Sequence, residues 1–251
     1  MEQAHSGGGD INRSLALMWG HDDRSGTPGP KPRLSLPAIV AQAVTVADAE
    51  GLDAVSMRRV AADLGVGTMS LYRYVPGKEE LLDLMIEHVS AVPEDARLGD
   101  DWRTSMGTLG RAMWELHTTH RWLPLVDQAR PLLGPNGLRG LEVALAGLVG
   151  TGLSGQEQVG LVRAIDAFAQ SAARTHNSAA TAEQLTGLSN EEFWKVQEPV
   201  FSAAMRSGDF PHLASLVDES FEMEGEQFFE LGLRLLLDGA GVLVRGRGGA
   251  S

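Results

Sequence analysis

Hydrogen-bond donors and aromatic rings recur between positions 68 and 74, where they would share the outer face of a short helix. They are Thr68, Ser70, Tyr72, Arg73 and Tyr74, and they include both tyrosines of the chain. This polar and aromatic set is unusual for a solvated helix face. It suits phosphate oxygens and the edges of nucleobases, so the pattern indicates a surface that contacts nucleic acid.

The surrounding sequence predicts two short helices joined by a tight turn over residues 56–75. The first helix would end at Leu64, because Gly65 suits the left-handed backbone that other residues resist. The small side chain of Ala61 would let the second helix cross close over the first. Apolar residues at helical spacing would fill the shared seam; they are Val60, Leu64, Val66 and Leu71.

Residues 34–51 and 56–85 resemble the DNA-binding domain of the TetR-type repressors. The pattern that carries the resemblance is LGV, then LYRYV, then a turn that contains Lys78, then LL. The resemblance implies a three-helix domain whose last short helix reads the major groove. By the same resemblance, the positions that usually meet DNA fall on Ser56, Arg58, Thr68, Ser70, Tyr72, Tyr74 and Lys78.

The chemistry of these side chains fits the same role. The planar fork of Arg58 matches O6 and N7 of guanine. Thr68 and Ser70 are short enough to let the helix enter the groove. Three longer side chains can donate to phosphates and fix the register on DNA; they are Tyr72, Tyr74 and Lys78.

Some positions leave two interpretations open. Met69 either touches a thymine methyl group or only packs, and Arg73 either reads a base or faces solvent. Lys31 and Arg33 either form an arm on the DNA backbone or in the minor groove, or are a solvated basic pair. The competing interpretation of the whole motif is an ordinary surface on a small helical unit.

The net charge of −12 is unexpected for a DNA-binding protein, but it is unevenly distributed. Residues 91–251 carry thirteen basic and twenty-one acidic side chains, a balance of −8. Residues 56–78 carry four basic side chains against Asp63 alone, a balance of +3. The basic footprint is therefore local, which predicts a small DNA contact with salt dependence confined to a few phosphates.

Composition limits the remaining possibilities. A length of 251 residues with 43% hydrophobic side chains predicts one or two domains with a sizeable core. No apolar run is long enough for a membrane span, and the first residues lack a signal-peptide pattern. The absence of cysteine excludes disulfides, thiolate metal sites and cysteine nucleophiles. We therefore expect a cytoplasmic protein without a membrane partner.

We predict an all-α chain with four segments. Residues 1–33 are rich in Gly, Pro and Ser and are expected to be a flexible tail, in which LALMWG is an apolar stretch that could dock. Residues 34–80 would form the helix-turn-helix DNA-binding domain. Residues 81–241 would form a helical effector-binding and dimerisation domain, and residues 242–251 a frayed tail.

Helical periodicity without strand alternation continues beyond residue 100. Capping boxes, with Ser154 before Glu157 and Ser189 before Glu192, mark two helix starts. The small, polar stretch 176–187 predicts a mobile loop. The predicted helices cover 101–120, 123–130, 135–149, 156–175, 191–206, 211–217 and 220–237.

Residues 120–145 and 221–240 resemble the C-terminal ligand-binding and dimerisation domain of the tetracycline repressor. The resemblance implies a dimer joined by a four-helix bundle, to which each subunit contributes residues 156–175 and 220–237. Phe228 and Phe229 face different sides of their helix, so one is expected inside and one against the partner subunit.

Aromatic residues beyond the DNA-binding domain are either plain core or the lining of an apolar cavity with a few polar groups. Taking the second interpretation, we predict a site for a small-molecule effector. The candidate ligand-binding residues are Trp114, His117, His120, Trp122, Gln128, Asp166, Phe168, Gln170 and Phe201.

Other motifs have simpler interpretations. The glycine pattern at 150–155 matches a dinucleotide fingerprint, but a helical segment precedes it where that site needs a strand, so we predict a turn capped by Ser154. His117 and His120 lie one turn apart without a third ligand nearby, which predicts no metal site. No catalytic motif is present, and we predict neither an enzyme nor a cofactor.

Together these patterns predict a homodimer on double-stranded DNA. Two DNA-binding domains related by a twofold axis would bind the two halves of an inverted repeat. Their recognition helices would lie about one helical turn, roughly 34–36 Å, apart. A small apolar ligand would release this repressor. Two alternatives remain: a DNA-binding regulator that is ligand-independent or controlled by a partner because its C-terminal core is filled, and an enzyme that carries the helix-turn-helix for autoregulation.

Overall fold

The computed structural model describes residues 4–21, 34–216 and 218–248, and in these ranges the regular elements are helices. The predicted all-α class is confirmed. The ten α-helices are α1 (Ile11–Met18), α2 (Leu36–Glu50), α3 (Met57–Asp63), α4 (Thr68–Leu71), α5 (Lys78–Val89), α6 (Trp102–Thr119), α7 (Pro135–Ala146), α8 (Gly155–Thr186), α9 (Asn190–Ser207) and α10 (Gly225–Gly248).

Local sequence signals set the ends of the first helices. The Ser35 hydroxyl accepts a hydrogen bond from the amide of Ala38 at 3.3 Å, and Pro37 lies in the first turn of α2. Gly65 follows α3 with a φ of 66°, the left-handed conformation that its position in the sequence predicts. The turn brings α4 across α3 and completes the helix-turn-helix.

Helices α2–α5, here called the DNA-binding unit after the role that the sequence predicts for them, share one apolar core. Its fully buried side chains include Ile39, Val60 and Leu71. The core also contains Leu81 and Met85 of α5, so the predicted boundary at residue 80 falls inside a helix that belongs to this unit. Trp122, Leu123 and Val126 join the same core from beyond α6.

Helices α6, α7, α8 and α10 form a second core, here called the C-terminal bundle. Phe229 and Leu233 of α10 and Ile165 of α8 are fully buried in it. Gly110 of α6 lies so close to Leu233 that a Cβ there would collide with the leucine side chain, and it lies in tight contact with Ile165. The helices therefore approach where a small residue allows it.

The N-terminal segment differs from the predicted flexible tail. Residues 4–21 pack on α5, and α1 buries Ser14 and Leu17 there. Asp10 caps α1 by accepting a hydrogen bond from the amide of Arg13 at 3.1 Å. The high Gly, Pro and Ser content of residues 1–33 as a whole gives no indication of this short amphipathic helix. Lys31 and Arg33, the proposed basic arm, lie outside the described residues.

Further along the chain, the predicted loop at 176–187 is wrong. Helix α8 continues to Thr186, and the Asn177 amide donates to the carbonyl of His117 at 3.0 Å. Small, polar residues that are not Gly or Pro are tolerated in a helix that gains tertiary contacts. At the C-terminus, α10 extends to Gly248, beyond the tail predicted to start at residue 242.

Some predicted helices are shorter. The segments predicted at 123–130 and 211–217 reduce to single 3₁₀ turns, Leu123–Leu125 and Leu213–Ser215. None of the helices in the described ranges combines the length and the apolar composition that crossing a bilayer requires.

Candidate DNA-binding surface and effector region

The short helix α4 is held by its one apolar face. Leu71 and Val75 are fully buried, and the amide of Ser70 donates to the carbonyl of Gly67 at 2.8 Å. Because this anchor fixes the helix, the side chains on its other sides, among them Thr68, Ser70 and Tyr72, are held in a defined orientation.

The residues expected to meet DNA in this region are exposed to different degrees, and Thr68 and Ser70 are half-buried. The Tyr72 side chain follows the helix and is 45% exposed, and Arg73 beside it is also exposed. Met69 is 76% exposed, so of its two interpretations packing inside the chain is excluded. An exposed thioether has the apolar character that a thymine methyl group contacts.

Three predicted DNA contacts have partners within the unit. The Tyr74 hydroxyl donates to the carbonyl of Leu34 at 3.1 Å, and the ring is half-buried. The Ser56 hydroxyl accepts from the amide of Arg59 at 3.2 Å as the N-cap of α3. Lys78 Nζ lies 3.5 Å from the carbonyl of Leu52. The Tyr74 side chain therefore contributes to the stability of the fold. Ser56 and Lys78 also bond within the unit, but both remain exposed.

Two adjacent arginines of α3 differ sharply. Arg59 forms ion pairs with Glu50 at 2.6 Å and with Asp63 at 3.0 Å, and these pairs raise the pKa of its guanidinium further. The hydrogen bond from Arg59 also holds the pKa of Glu50 below its usual value. Arg58 is exposed and has no ion pair with any described residue. Of these two guanidinium groups, that of Arg58 is therefore the one available for contact with another molecule.

Part of the predicted ligand-binding set meets between α6, α8 and α10. Trp114 stacks on Phe229 with ring centroids 4.6 Å apart, and Phe168 stacks on the same ring at 6.0 Å. The ring of Phe168 lies directly on Gly232, where a side chain would collide with it. The imidazole of His176 lies 5.4 Å from Trp114. These aromatic rings form a continuous cluster.

His117 brings the main polar group to this region. Its side chain is buried, and its Nε2 lies 3.3 Å from a carboxylate oxygen of Asp166. Its Nδ1 is buried and has no hydrogen-bond partner among the described residues. A buried ring nitrogen without a partner is costly, so this atom is suited to a hydrogen bond with a bound molecule.

Two other predicted ligand residues face the DNA-binding unit instead. His120 Nδ1 lies 2.8 Å from Oδ1 of Asp48 in α2, and Trp122 Nε1 donates to the same oxygen at 2.8 Å. Trp122 is 2% exposed. These contacts join the end of α6 to the DNA-binding unit. No metal-binding group of three His, Asp or Glu side chains occurs in the described part of the chain.

The remaining predicted ligand residues are dispersed. Gln128 lines a recess of about 90 Å³ beside Asp83 and Met18. Gln170 is half-buried on α8. Phe201 on α9 is 44% exposed and meets Phe221 edge-on at 5.8 Å. The single chain therefore does not bring Gln128 or Phe201 to the aromatic cluster.

Sequence reasoning missed a groove of about 770 Å³ between α6 and α10. Two ion pairs cross it, Arg103 with Asp238 and Arg111 with Glu230. The signal was present in the i, i+4 spacing of Arg103, Gly107 and Arg111 on one face of α6. The lining residues are Arg103, Thr104, Gly107, Thr108, Arg111, Met223, Gln227, Glu230, Leu231, Leu233, Arg234 and Leu237.

The glycine pattern at 150–155 is a turn between two helices, as predicted. Gly150 and Gly152 have φ values of 81° and 72°, and the Ser154 hydroxyl accepts from the amide of Glu157 at 3.3 Å. Arg247 and the Ser154 backbone lower the pKa of Glu157 to about 2. Helix α7 precedes the turn and helix α8 follows it, so the strand that a dinucleotide site needs is missing here.

Comparison with known proteins relates both units to one family. The family model described as "Bacterial regulatory proteins, tetR family" matches residues 39–85. The model described as "Tetracyclin repressor-like, C-terminal domain" matches residues 94–244. The HTH-type transcriptional repressor DrrR1 of Streptomyces coeruleorubidus is 46% identical over 98% of this chain and 91% of its own length.

Solved structures agree with these matches. Apo ActR from Streptomyces coelicolor has a TM-score of 0.68 and 28% identity, covering 88% of this chain and all of that one. ActR in complex with actinorhodin has a TM-score of 0.61 and 29% identity, covering 84% of this chain and 96% of that one. The similarity thus extends through the DNA-binding unit and the C-terminal bundle.

Proposed function

The chain belongs to the TetR family of transcriptional regulators, and from this we propose that it is a homodimeric repressor that a small molecule releases from an inverted-repeat operator. The observation that carries the proposal is the outer surface of the firmly anchored α4, where Thr68 and Ser70 are half-buried and Tyr72, directly after the helix, is exposed. The exposed guanidinium of Arg58 supplies a cation beside it.

Two heads are needed for selective binding. A single module of this kind buries only roughly 600–1,000 Å² on DNA, which gives little discrimination between sites. Two copies related by a twofold axis double the contact and require half-sites about 34–36 Å apart. We therefore expect the operator to be an inverted repeat with this spacing.

Exposed apolar side chains support the homodimer. Helices α8 and α10 expose several apolar side chains, and α9 exposes Trp194 to 60% and Val200 to 74%. Large apolar surfaces of this kind mark sites that a partner covers, and we propose that a second copy of the chain covers them. The residues concerned on α8 and α10 are Val159, Phe228, Leu235, Val242 and Leu243.

We propose that the effector binds at the aromatic cluster and accepts or donates a hydrogen bond at His117 Nδ1. Trp114 and Phe168 supply flat apolar faces there, and the unpaired nitrogen of His117 gives orientation. The ActR complex with actinorhodin is a related protein holding a small molecule. An aromatic ligand with at least one polar group fits this combination.

The same helix that would hold the ligand also contacts the DNA-binding unit. Trp114 and His117 lie in the last two turns of α6, and His120 at its C-terminal end contacts Asp48 of α2. A ligand that shifts this end of α6 would change the position of the DNA-binding unit. A coupling free energy of about 1–3 kcal/mol would change DNA affinity about 5–150-fold, which is enough to release a promoter.

The DNA-binding part is tested by gel-shift titration with inverted repeats from the DNA upstream of the coding sequence. We expect the native chain to bind, and the double variant Tyr72→Ala with Arg58→Ala to lose at least tenfold in affinity, since each lost contact costs about 1 kcal/mol or more. Arg139→Ala, an exposed arginine of α7, is the matched control. Undiminished binding by the double variant would contradict the assigned surface.

The ligand site is tested by release of the operator complex with actinorhodin as the probe. Trp114→Ala and His117→Phe should raise the concentration required while leaving DNA affinity unchanged. Gly107→Leu places a side chain in part of the groove between α6 and α10, since a Cβ there has ordinary contact distances of 3.4 Å or more. If Gly107→Leu alone raises that concentration, the ligand binds in the groove and not at the cluster.

One observation favours a second candidate function. The rings of Trp114, Phe168 and Phe229 pack on one another, as in a core that is already filled. The chain would then be a DNA-binding regulator that responds to no small molecule. Thermal unfolding separates the two functions, because a ligand that binds only the folded chain raises the midpoint in a concentration-dependent way.

A further inference from the structure

Residues 4–21, here called the N-terminal clasp, lie across the junction between the DNA-binding unit and the C-terminal bundle. On one side the clasp packs on α5 through α1. On the other side it contacts the connecting segment 126–134, which leads from the end of α6 into α7. The clasp precedes both regions matched by the family models, which begin at residue 39.

The attachment to α5 is buried and polar. Asp83 is 1% exposed, and its carboxylate accepts from the Ser6 hydroxyl at 3.1 Å, the Gly7 amide at 2.9 Å and the Ser14 hydroxyl at 2.8 Å. A buried carboxylate is stable only when such donors satisfy it. The donors all come from the clasp, so the clasp and α5 depend on each other.

A second buried carboxylate strengthens the same contact. Glu80, 7% exposed, accepts from the amide of Asp10 at 2.8 Å. Gly9 lies so close to the Glu80 carboxylate that a larger residue there would displace the Glu80 side chain. Leu17 of α1 joins the apolar core of the DNA-binding unit. The clasp is therefore fitted to α5 by shape as well as by hydrogen bonds.

The attachment to the connecting segment is made mainly by backbone groups. The amide of Asp127 donates to the carbonyl of Ala4 at 2.9 Å, and the amide of Ser6 donates to the carbonyl of Asp127 at 2.9 Å. Near the other end of the clasp, Trp19 Nε1 donates to the carbonyl of Leu133 at 3.0 Å. The clasp thus holds this segment at two points while it holds α5.

Helix α5 also contacts the start of α7 without the clasp. The Glu87 carboxylate accepts from the amide of Asn136 at 2.6 Å, and the Glu87 carbonyl accepts from the Asn136 side chain at 2.9 Å. This contact caps the N-terminus of α7. Its geometry depends on how α5 is oriented toward the connecting segment, which is what the clasp restrains.

We propose that the N-terminal clasp is a regulatory lock: it fixes α5 against the connecting segment and so stabilises the ligand-free arrangement of the reading heads that binds the operator. The sign of its effect on DNA rests on the proposed function. Restraining α5 lowers the free energy of one domain arrangement relative to the others. A ligand must overcome this free-energy difference to release DNA. Loosening the clasp would therefore weaken operator binding and make release easier.

Two variants of the full chain test the lock, with one control. Removal of residues 1–21 abolishes every clasp contact. Ser6→Ala with Ser14→Ala removes two of the three donors to Asp83 and keeps the rest of the chain intact, in case the truncated chain folds poorly. Asn12→Ala is the matched control, because Asn12 lies on the exposed side of the same helix.

The lock itself is measured by hydrogen exchange without DNA or ligand. The amides of Asn136 and Gly137 are the informative ones, because they bond to Glu87 and not to the clasp. We expect both clasp variants to speed exchange at these amides and along α5 by about fivefold or more, and Asn12→Ala to leave it unchanged. Unchanged exchange in both variants would overturn the proposal.

Gel-shift titration on upstream inverted repeats then tests the sign. We expect operator affinity to fall about fivefold or more in both clasp variants. Equal or higher affinity in a folded variant would refute a lock on the DNA-binding arrangement. If the native chain binds no inverted repeat, the proposed function fails, whereas the exchange measurement still decides whether the clasp locks α5.

Discussion

At the scale of single residues, neighbours of the same type have different roles. Tyr72 is exposed on α4, whereas the hydroxyl of Tyr74 is bonded to the carbonyl of Leu34. Arg58 is exposed, whereas Arg59 is held by Glu50 and Asp63. The difference follows from the side of the helix on which each residue lies and from which partners α2 brings near.

The two tyrosines provide a direct test. Tyr72→Phe should lower affinity for all DNA sequences alike, because it removes the hydroxyl proposed to donate to a phosphate, and it should leave stability unchanged. Tyr74→Phe should lower the free energy of unfolding by about 0.5–1.5 kcal/mol, the usual contribution of one hydrogen bond. Gel-shift titration and urea unfolding of both variants measure these effects. The opposite pattern would exchange the two roles.

At the scale of elements, helix ends and small residues decide how the helices pack. Gly110 and Gly232 allow close approach in the C-terminal bundle. The turn before α8 is capped by Ser154 and fixed to α10 through Glu157 and Arg247, whose ion pair measures 2.6 Å. The start of α8 and the end of α10 are therefore joined electrostatically.

This ion pair predicts a pH dependence. The pKa of Glu157 is lowered from 4.5 to about 2, so its contribution to stability is fully present above pH 4.5 and is lost as the pH falls through about 2. Unfolding midpoints of the native chain and Glu157→Gln should differ at pH 6 and converge toward pH 2. A difference that stays constant across this range would exclude the ionised carboxylate as its cause.

Adjacent phenylalanines of α10 test which face is core. Phe229 is 1% exposed and Phe228 is 48% exposed, which confirms that one of the two packs inside. Phe229→Ala should lower the free energy of unfolding by about 3–5 kcal/mol. Phe228→Ala should instead weaken self-association, measured by sedimentation at several concentrations. An unchanged association constant would remove Phe228 from the proposed dimer interface.

At the scale of the whole molecule, the DNA-binding unit and the C-terminal bundle meet in contacts that would transmit a ligand's effect. Trp122 and His120 converge on Asp48, and Trp122 lies in the core of the DNA-binding unit. The N-terminal clasp adds a second connection, between α5 and the segment 126–134. Specific polar contacts thus hold the DNA-binding unit to the end of α6 and to the segment that follows it.

Asp48→Ala should uncouple the two units. The change leaves the buried indole nitrogen of Trp122 without a partner, at a cost of about 1–3 kcal/mol, and it removes the contact with His120. We expect that a higher concentration of actinorhodin is needed to release the variant from the operator. The folded variant should still bind DNA. Asp53→Ala, at an exposed position near α2, is the control. If both variants require the same ligand concentration for release, the contacts of Asp48 with His120 and Trp122 do not transmit the effect of the ligand.

Much of this protein was determined by sequence alone, because the signals were local. The apolar seam of the helix-turn-helix, Gly65 at its turn and the caps at Ser35 and Ser154 depend on residues within a few positions of one another. Each agrees with the structure. Helical periodicity likewise established the all-α class, since a period of 3.6 residues is visible within one element.

The tertiary structure decided which residues meet across the chain. Only the fold brings Ser14 to Asp83 and His120 to Asp48, pairs separated by 69 and 72 positions. Segments 4–21 and 176–186 were not predicted to be helical, yet α1 lies in the first and α8 continues through the second, and each contacts a distant part of the chain, as Ser14 does with Asp83 and Asn177 with the carbonyl of His117. Local patterns cannot specify such partners, since the free energy comes from contacts that exist only after the chain has folded.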